Sequence, residues 1–490
     1  MLFIRLRGHF LHRARGVNNF PSLCEWSQFM KIGRVIGDTL DELPLIGPSI
    51  SRARNYLRYR RIQDEPFRLK DVLGLVKTTV SRSAQTEMAV PVAKWLDHRW
   101  PRSRPLTFFP VKSDGPRLTI MTDSVGPSSL FGGVGTAIVL GTVLANRMNA
   151  SLRLVTRTDP PQARAVREVL SANRLRLERP LEVVYSNVKG RPELPVSDED
   201  YFLSTSWWST ASLLPSVRAD RLLWLLQEDE RMFYPFGDER LRCEQTLHDP
   251  APLAIVNSRL LHEHLTSGAG EVPGLDSRST WFEPAFPGAF PAEKKADSGC
   301  RRLFFYARPN HPRNLFSMGV AALAAAIGDG TFHPDEWEIH FVGQGIPVLE
   351  LPRQVRPIVA QGLTWTEYQK LVRSMDAGFV LMDTPRPSYP PLDLAGSGAA
   401  VLTNLHGIKN DLSHYSRNIL MAQPDQSSLR RGLARLAALG RDDAQRAANV
   451  QADGIKRDWP DTLSAAAEWV VERFAGGRAC RERGVLRHVA

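Results

Sequence analysis

Two arginines in the second half of the sequence have the types and spacing needed to bind phosphate. Arg308 and Arg313 are five residues apart in the stretch YARPNHPRN, which follows an apolar run typical of a buried strand. Guanidinium groups stay charged and can donate paired hydrogen bonds to phosphate oxygens, so these two could hold a diphosphate. Arginines at strand ends are also common on protein surfaces, and that interpretation stays open.

A proline-bracketed stretch, RPSYPPLDLAGSGAAVLTN from Arg386 to Asn404, predicts a stiff loop that begins a helix. The N-terminus of a helix attracts anions, and a carboxylate just inside it could accept hydrogen bonds from sugar hydroxyls. Asp393 could instead only stabilise the first helical turn. The candidate ligand-binding residues here are Ser388, Tyr389, Pro390, Leu392 and Asp393.

Glycines mark two further loops at predicted strand ends. Gly132 and Gly133 in DSVGPSSLFGGVGTA would let backbone amides approach a ligand closely. Gly343 and Gln344 in HFVGQG form a tight turn beside the same predicted cleft. A dinucleotide-binding fingerprint would need another glycine where Ile138 stands, which disfavours a dehydrogenase. Glycines that merely turn the chain are the simpler alternative.

The first half of the sequence offers carboxylates and aromatic residues. Asp123 follows a predicted strand, and the acidic run QEDE follows another. Either could face a reacting hydroxyl, although the run could equally be a solvated turn. Trp207 and Trp208 could stack on sugar rings or pack in the core. The candidates in the acidic run are Glu228, Asp229 and Glu230.

Strand and helix patterns alternate from Pro116 onward, stop in the linker-like stretch FEPAFPGAFPAEKKADSG, and then restart. This pattern predicts an α/β protein with two facing, doubly wound Rossmann-like domains and a ligand cleft between them. We expect a basic, partly helical extension over 1–105 that ends in a linker, RPLTFFP. The domains then span 106–290 and 291–460, and a helix and basic tail occupy 461–490.

Composition restricts the class of protein. The 490 residues include four cysteines without metal-binding spacing, and no apolar run approaches the roughly 20 residues that span a bilayer. We therefore expect no metal, no cofactor and a cytoplasmic protein. The net charge is +11, and the stretch from Met1 to Arg61 is strongly basic. This extension could contact an anionic membrane or be merely solvated, whereas a nucleic-acid partner is disfavoured.

The glycine loop, YARPNHPRN and PRPSYPPLDLAGSGAAVLTN, in this order, resemble the GT-B-fold glycosyltransferases of retaining family 4. The resemblance is strongest to the rhamnosyltransferase branch typified by WsaF and the rhamnan-synthesis proteins. The stretches YFLSTSWWSTA, WLLQEDERMFYPFGDE, AIVNSRLLHEHL and WFEPAF also look like that branch, and the likeness extends from about Leu118 to Trp469.

The resemblance implies metal-independent transfer of L-rhamnose from dTDP-rhamnose to a cell-surface polysaccharide or its lipid-linked precursor. It places the donor on the C-terminal domain and the acceptor on the N-terminal domain. In this sequence Arg308 and Arg313 would neutralise the diphosphate, backbone amides from Ser388 to Leu392 would assist, and Asp393 would bind the ribose or sugar. The resemblance further implies that Gly132 and Gly133 would let the loop close over the sugar. From the residues themselves, Gly343 and Gln344 are further candidates at the donor, Asp123 is a candidate catalytic residue, and Trp207, Trp208 and Glu228 are candidates at the acceptor.

One position departs from the family pattern. Where the broad family has two glutamates eight residues apart, this sequence has Pro385 and Asp393. The aspartate is shorter than the usual second glutamate, which puts the donor in doubt more than the fold. Two alternatives stay open: a GT-B transferase with another nucleotide sugar, and a non-catalytic scaffold that meets the inner membrane through its basic extension.

Overall fold

The computed structural model describes residues 90–126, 132–188, 190, 193–291 and 299–486. Most of the predicted extension over 1–105 lies outside the described residues. From Pro91 onward the chain forms one compact unit. It begins with helix α1 (Val92–Arg99) and strand β1 (Thr107–Pro110).

The N-terminal domain alternates strands and helices around a seven-stranded parallel sheet with the order β4-β3-β2-β6-β7-β8-β9. Its central strands are continuous apolar runs because both faces of the sheet are covered, as in the fully buried Leu222–Leu226. The elements are β2 (Arg117–Thr122), α2 (Gly133–Arg147), β3 (Ser151–Thr156), α3 (Ala163–Ala172), β4 (Leu181–Tyr185), β5 (Glu193–Val196), β6 (Asp200–Ser204), α4 (Trp207–Leu213), β7 (Leu222–Leu226), α5 (Asp238–Leu247), β8 (Leu253–Asn257), α6 (Arg259–Thr266) and β9 (Ser279–Phe282).

The C-terminal domain repeats the design with a six-stranded parallel sheet, β12-β11-β10-β13-β14-β15. This is the 3-2-1-4-5-6 order of doubly wound folds, in which ligands bind where the strand order reverses. The elements are β10 (Arg301–Ala307), α7 (Phe316–Gly328), β11 (Trp337–Gly343), β12 (Ile358–Gln361), α8 (Trp365–Arg373), β13 (Ala377–Phe379), α9 (Tyr389–Gly396), β14 (Ala400–Asn404), β15 (Ile419–Ala422), α10 (Gln426–Arg441), α11 (Asp443–Gln451) and α12 (Trp459–Leu486). The predicted fold class, α/β with two Rossmann-like domains, is confirmed.

The last helix returns to the first domain. Trp459 and Phe474 of α12 belong to the N-terminal core cluster, and the Phe474 ring lies 4.5 Å from that of Tyr201 on β6. The Trp459 indole also donates a 2.7 Å hydrogen bond to Asn173. Because α12 packs on one domain and follows the other, it joins the two domains.

The segment RPLTFFP is not a plain linker, so that prediction was wrong. Its residues Thr107–Pro110 form β1, which pairs in parallel with β5 in a separate two-stranded sheet. Phe108 stacks on Phe202 of β6 at 5.6 Å between ring centroids. Strand pairing and one aromatic contact therefore order a stretch whose prolines had suggested irregular structure.

Among the described residues no helix combines the length and apolar character needed to cross a bilayer. No group of three or more His, Cys, Asp or Glu side chains is arranged there to hold a metal ion.

Candidate functional site

A cavity of about 540 Å³ lies between the two domains, at the carboxyl ends of their strands. The N-terminal domain contributes the turn that starts α2 and the residue two positions after β7. The C-terminal domain contributes the loops after β10, β11 and β13 and the start of α9. The predicted residues that line this cavity are Gly132, Gly133, Glu228, Arg308, Arg313, Gly343, Gln344, Ser388, Tyr389, Pro390 and Asp393.

Arg308 directly follows β10, at the point where the strand order of the C-terminal sheet reverses. Its Nη1 donates to the Tyr306 hydroxyl at 3.4 Å, and its Nη2 donates to His311 Nε2 at 2.7 Å. Arg313 follows in the short helical turn Pro312–Asn314, and its guanidinium lies 4.4 Å from the Phe233 ring of the opposite domain. The two predicted phosphate ligands therefore reach the same cavity from one loop.

A third arginine, Arg386, lines the cavity and was not among the predicted ligands. Its Nη1 donates a 2.6 Å hydrogen bond to the Gln227 carbonyl of the N-terminal domain. Among the described residues no hydrogen-bond acceptor serves three buried guanidinium nitrogens: Arg308 Nε, Arg313 Nη1 and Arg386 Nε. Buried donors without acceptors are costly, and the Glu228 carboxylate lies near two of these nitrogens without making a directed hydrogen bond to them, so the three nitrogens mark a place for an anionic ligand. The position of Arg386 inside the proline-rich stretch was the signal that could have found it.

Gly343 is required by the spacing of two strand ends. A Cβ built on it would come within 1.8 Å of the Ala307 carbonyl oxygen, so any side chain would force the strands apart. The close approach lets the Gln344 amide donate to that carbonyl at 3.2 Å. This pair therefore shapes the cavity wall beside Arg308.

The start of α9 offers fewer amides than the sequence suggested. Ser388 is the N-cap residue, and Pro390 and Pro391 occupy the next turn. Because proline has no amide hydrogen, Tyr389 is the only donor among the first three helical residues. The predicted contribution of amides from Ser388 to Leu392 is corrected accordingly. Leu392 itself packs in the apolar core, 1% exposed.

The Ser388 side chain offers one further hydrogen-bond donor at the start of α9. It is 5% exposed, makes no capping hydrogen bond, and its Oγ has no partner among the described residues. An N-cap serine normally accepts a hydrogen bond from its own helix, which here the prolines prevent. The hydroxyl lines the cavity and is available to a ligand oxygen.

Tyr389 connects the two domains across the cleft. Asn257 at the end of β8 donates a 2.6 Å hydrogen bond to the Tyr389 hydroxyl. The same hydroxyl lies 2.6 Å from Thr136 Oγ1 in the first turn of α2. Gln227 also ties this turn to the cleft, because its side chain donates to the Gly133 carbonyl at 2.8 Å.

Asp393 faces the cavity with a neutral partner. The Tyr368 hydroxyl donates to its Oδ2 at 3.3 Å. Burial raises the pKa of Asp393 to about 7, and the hydrogen bond from Tyr368 offsets this only in part. Asp393 also borders a second, adjoining cavity of about 280 Å³ that shares Tyr389 and Trp365 with the first.

The predicted residues of the N-terminal sheet edge are mostly used within the domain. Asp123 accepts a 3.0 Å hydrogen bond from Trp208 and pairs with Arg102 at 3.3 Å. Trp207 is 4% exposed and donates to the Tyr234 hydroxyl at 2.9 Å. Stacking of Trp207 on an acceptor sugar is therefore wrong, and core packing describes it. Asp123 and both tryptophans lie outside the lining of the two cavities.

The acidic run splits into two environments. Asp229 and Glu230 are 5% and 4% exposed, so a solvated turn is the wrong interpretation. Burial would raise the pKa of Asp229, but hydrogen bonds from His264 and Arg231 outweigh it and lower the pKa to about 2. Burial raises the pKa of Glu230 to about 8. Of the three carboxylates only Glu228 lines the cavity.

A buried lysine behind the cleft was also not predicted from the sequence. Lys409 is 1% exposed and donates a 2.9 Å hydrogen bond to the Met382 carbonyl. Burial lowers the pKa of Lys409 to about 7. No local sequence pattern marks this lysine, because its burial depends on the fold of the loop after β14.

Comparisons with known proteins match both domains. Residues 117–259 match the model described as the N-terminal domain of WsaF, and residues 301–434 match its C-terminal domain. The O-antigen biosynthesis protein RfbC of Myxococcus xanthus is 31% identical over 247 residues, which are 48% of this chain. The chain covers only 18% of the length of that relative.

Solved structures give weaker likenesses. Sucrose-phosphate synthase from Thermosynechococcus elongatus is 14% identical, with a TM-score of 0.47 over 74% of this chain and 100% of that one. Anabaena HepE in complex with UDP-glucose is 12% identical, with a TM-score of 0.47 over 74% and 99% of the two chains. The fold class therefore rests on the two parallel sheets described above. Because the two WsaF domain matches occur in order and together span more than half of the residues, the chain belongs to the WsaF family of two-domain proteins.

Proposed function

We propose that this protein is a glycosyltransferase that uses a nucleotide sugar in the synthesis of a cell-surface polysaccharide. The observation that carries the proposal is the cluster of three arginines with unpartnered donors in the cleft between two Rossmann-like domains. Membership of the WsaF family and the likeness to a protein named for O-antigen biosynthesis support it.

The arginine cluster suits the charge that develops during glycosyl transfer. When the bond between the sugar and the phosphate oxygen breaks, the electron pair stays on the departing diphosphate. Arg308, Arg313 and Arg386 would stabilise this charge, and the Ser388 hydroxyl would donate one more hydrogen bond. The proposal thus assigns leaving-group stabilisation to side chains and not to a metal ion.

The donor is proposed to be dTDP-rhamnose, on the strength of the resemblance to the rhamnosyltransferase branch. Asp393 and Tyr368 would meet the ribose hydroxyls. The acceptor, a glycan or its lipid-linked precursor, would approach from the N-terminal domain. The same proposal places the protein in the cytoplasm, at the inner membrane surface where such precursors are built.

Binding calorimetry tests the proposal. Titration with dTDP-rhamnose, UDP-glucose and GDP-mannose should show selective binding of the dTDP-sugar. Arg308→Ala should weaken that binding about 30-fold, since a hydrogen bond to a charged group contributes about 2 kcal/mol. Arg356→Ala is the matched control, because Arg356 is exposed and pairs only loosely with Glu350 at 3.7 Å.

The outcomes separate the alternatives. Preference for UDP-glucose or GDP-mannose would keep the glycosyltransferase and replace the donor. Absence of binding by any nucleotide sugar to the folded protein would sink the enzyme and favour a non-catalytic scaffold.

A further inference from the structure

A carboxylate of the N-terminal domain reaches the arginines of the C-terminal domain. Glu228 Oε2 lies 3.1 Å from Arg313 Nη1, and Glu228 Oε1 lies 3.4 Å from Arg386 Nε. Glu228 Oε2 also accepts a 2.5 Å hydrogen bond from the Thr384 hydroxyl. All three partners follow β10 or β13, so Glu228 contacts only the opposite domain through these bonds.

These ion pairs are close but poorly directed. Arg313 Nη1 and Arg386 Nε, the two nitrogens nearest to Glu228, are the same nitrogens that have no hydrogen-bond acceptor within the described ranges. The attraction is therefore Coulombic and leaves the directional part of each bond unused. A ligand oxygen placed in line with these N–H groups would make a better partner than the carboxylate does.

We propose that Glu228 is a competing anion that occupies the charge of Arg313 and Arg386 and is displaced when a diphosphate binds. The inference rests on the proposed function for the identity of the diphosphate, but the competition concerns any diphosphate anion. It assigns Glu228 a role on the donor side of the cleft, in place of the acceptor contact expected from the sequence. Displacement frees a carboxylate that spans the two domains, so the donor also changes how the domains are held together.

The proposed competition predicts the direction in which the affinity for a diphosphate changes when Glu228 loses its charge. A carboxylate a few ångströms from a bound diphosphate repels it and also reduces the charge that the arginines offer. Removing the charge of Glu228 while keeping its shape should therefore strengthen diphosphate binding. If Glu228 instead oriented the arginines for the ligand, the same change would weaken binding.

Calorimetric titration with inorganic pyrophosphate tests the sign without a nucleotide or a sugar. Glu228→Gln should bind pyrophosphate about tenfold more tightly than the unmodified protein, because like charges in a partly buried site repel strongly. Glu244→Gln is the matched control. It removes one negative charge from the same domain, at a residue that pairs with Arg231 at 3.7 Å and does not line the cavity. Its affinity should stay within about twofold, since a distant exposed charge is screened.

A second background separates local competition from a general change in charge. In Arg313→Ala protein, Glu228→Gln should give a clearly smaller gain than in the unmodified protein, since one of the two contested cations is gone. An equal gain in both backgrounds, an unchanged affinity or a weaker affinity would each overturn the inference. If Glu228→Gln does not fold, Glu228→Ala in the same titration decides the sign.

Failure of the inference and of the proposed function remain distinguishable. Tighter pyrophosphate binding by Glu228→Gln, without binding of any nucleotide sugar, would support the competition and reject the glycosyltransferase. Selective nucleotide-sugar binding with no gain in Glu228→Gln would do the reverse.

Discussion

The two sheet edges that face the cleft both carry polar side chains that could bind a ligand, but the fold uses these side chains differently. At the N-terminal edge Trp207 and Asp229 are engaged with neighbours of their own domain, and Asp123 is engaged through its Oδ2, although its Oδ1 has no hydrogen-bond partner among the described residues. At the C-terminal edge Arg308 and Ser388 line the cavity, and atoms of both lack hydrogen-bond partners among the described residues. Unpartnered polar atoms on residues that line the cavity, and not charge or position at a strand end, distinguish the ligand-binding edge, since Asp123 lies outside the cavity lining.

The comparison also explains which sequence interpretations failed. A tryptophan pair and an acidic run look like sugar-binding residues in a sequence. In the folded domain Trp207 packs against Tyr234, with ring centroids 6.2 Å apart, and Asp229 forms an ion pair with Arg231 at 2.8 Å. Trp207 and Asp229 therefore each have a partner within their own domain and need none from a ligand.

Truncation of Trp207, in the N-terminal domain, should have the largest effect on stability. Trp207→Ala should lower the free energy of unfolding by about 4 kcal/mol, because it leaves a large cavity in the core. Equilibrium urea unfolding followed by tryptophan fluorescence and circular dichroism measures it. Trp281→Ala, at a side chain that is 40% exposed, is the control and should change stability by less than about 1 kcal/mol. A stable Trp207→Ala protein with impaired sugar binding would break the comparison.

The next largest effects are expected from two carboxylates, Asp393 and Asp229, whose pKa values shift in opposite directions. The pKa of Asp393 is raised from 3.8 to about 7, so the native state holds this proton more tightly than the unfolded state. Stability from this group is full below the unfolded pKa and is lost as the pH rises towards 7. Asp393→Asn should therefore gain about 2 kcal/mol relative to the unmodified protein between about pH 5.5 and about pH 8.

Asp229 should behave in the opposite way. Its pKa is lowered to about 2, so its contribution is present above the unfolded value and is lost only as the pH falls through the folded one. Asp229→Asn should lose about 2 kcal/mol at about pH 7, as it strands Arg231 and His264. Denaturant unfolding at the two pH values measures both variants. If Asp393→Asn and Asp229→Asn changed the free energy of unfolding in the same direction as the pH rises, the two sheet edges would not differ electrostatically.

Two N-cap serines give the smallest and most closely matched effect. Ser206 starts α4 with a capping box to Ser209, whereas Ser388 starts α9 without a capping hydrogen bond. Ser206→Ala should cost about 1 kcal/mol of stability. Ser388→Ala should leave stability unchanged and weaken nucleotide-sugar binding about tenfold, because a hydrogen bond from a hydroxyl to a charged phosphate oxygen contributes about 1.5 kcal/mol. Thermal unfolding and calorimetry on both variants measure the contrast; equal stability losses would contradict it.

Much of the fold could be predicted from the sequence because it depends on local patterns. Apolar runs such as Leu222–Leu226 and the alternation with helices predict parallel strands, and the interruption before Arg301 divides the two domains. The strand β1 was missed because its position depends on pairing with β5 and on contact of Phe108 with Phe202, both distant in the sequence. The path of α12 back to the first domain likewise has no local signal.

By itself the sequence determined the α/β class, the repeated Rossmann-like pattern, the location of Arg308 at a strand end, and the locations of Arg313 and Ser388 at helix starts. These features follow from periodicity and from the chemistry of each side chain. Only the tertiary structure decided which polar groups are satisfied: Asp229 by Arg231 and His264, but Ser388 by none of the described residues. It also brought Glu228 against Arg313 from the opposite domain. Hydrogen bonds and ion pairs act over a few ångströms between residues far apart in the chain, so these partnerships exist only once both sheets are folded and facing each other.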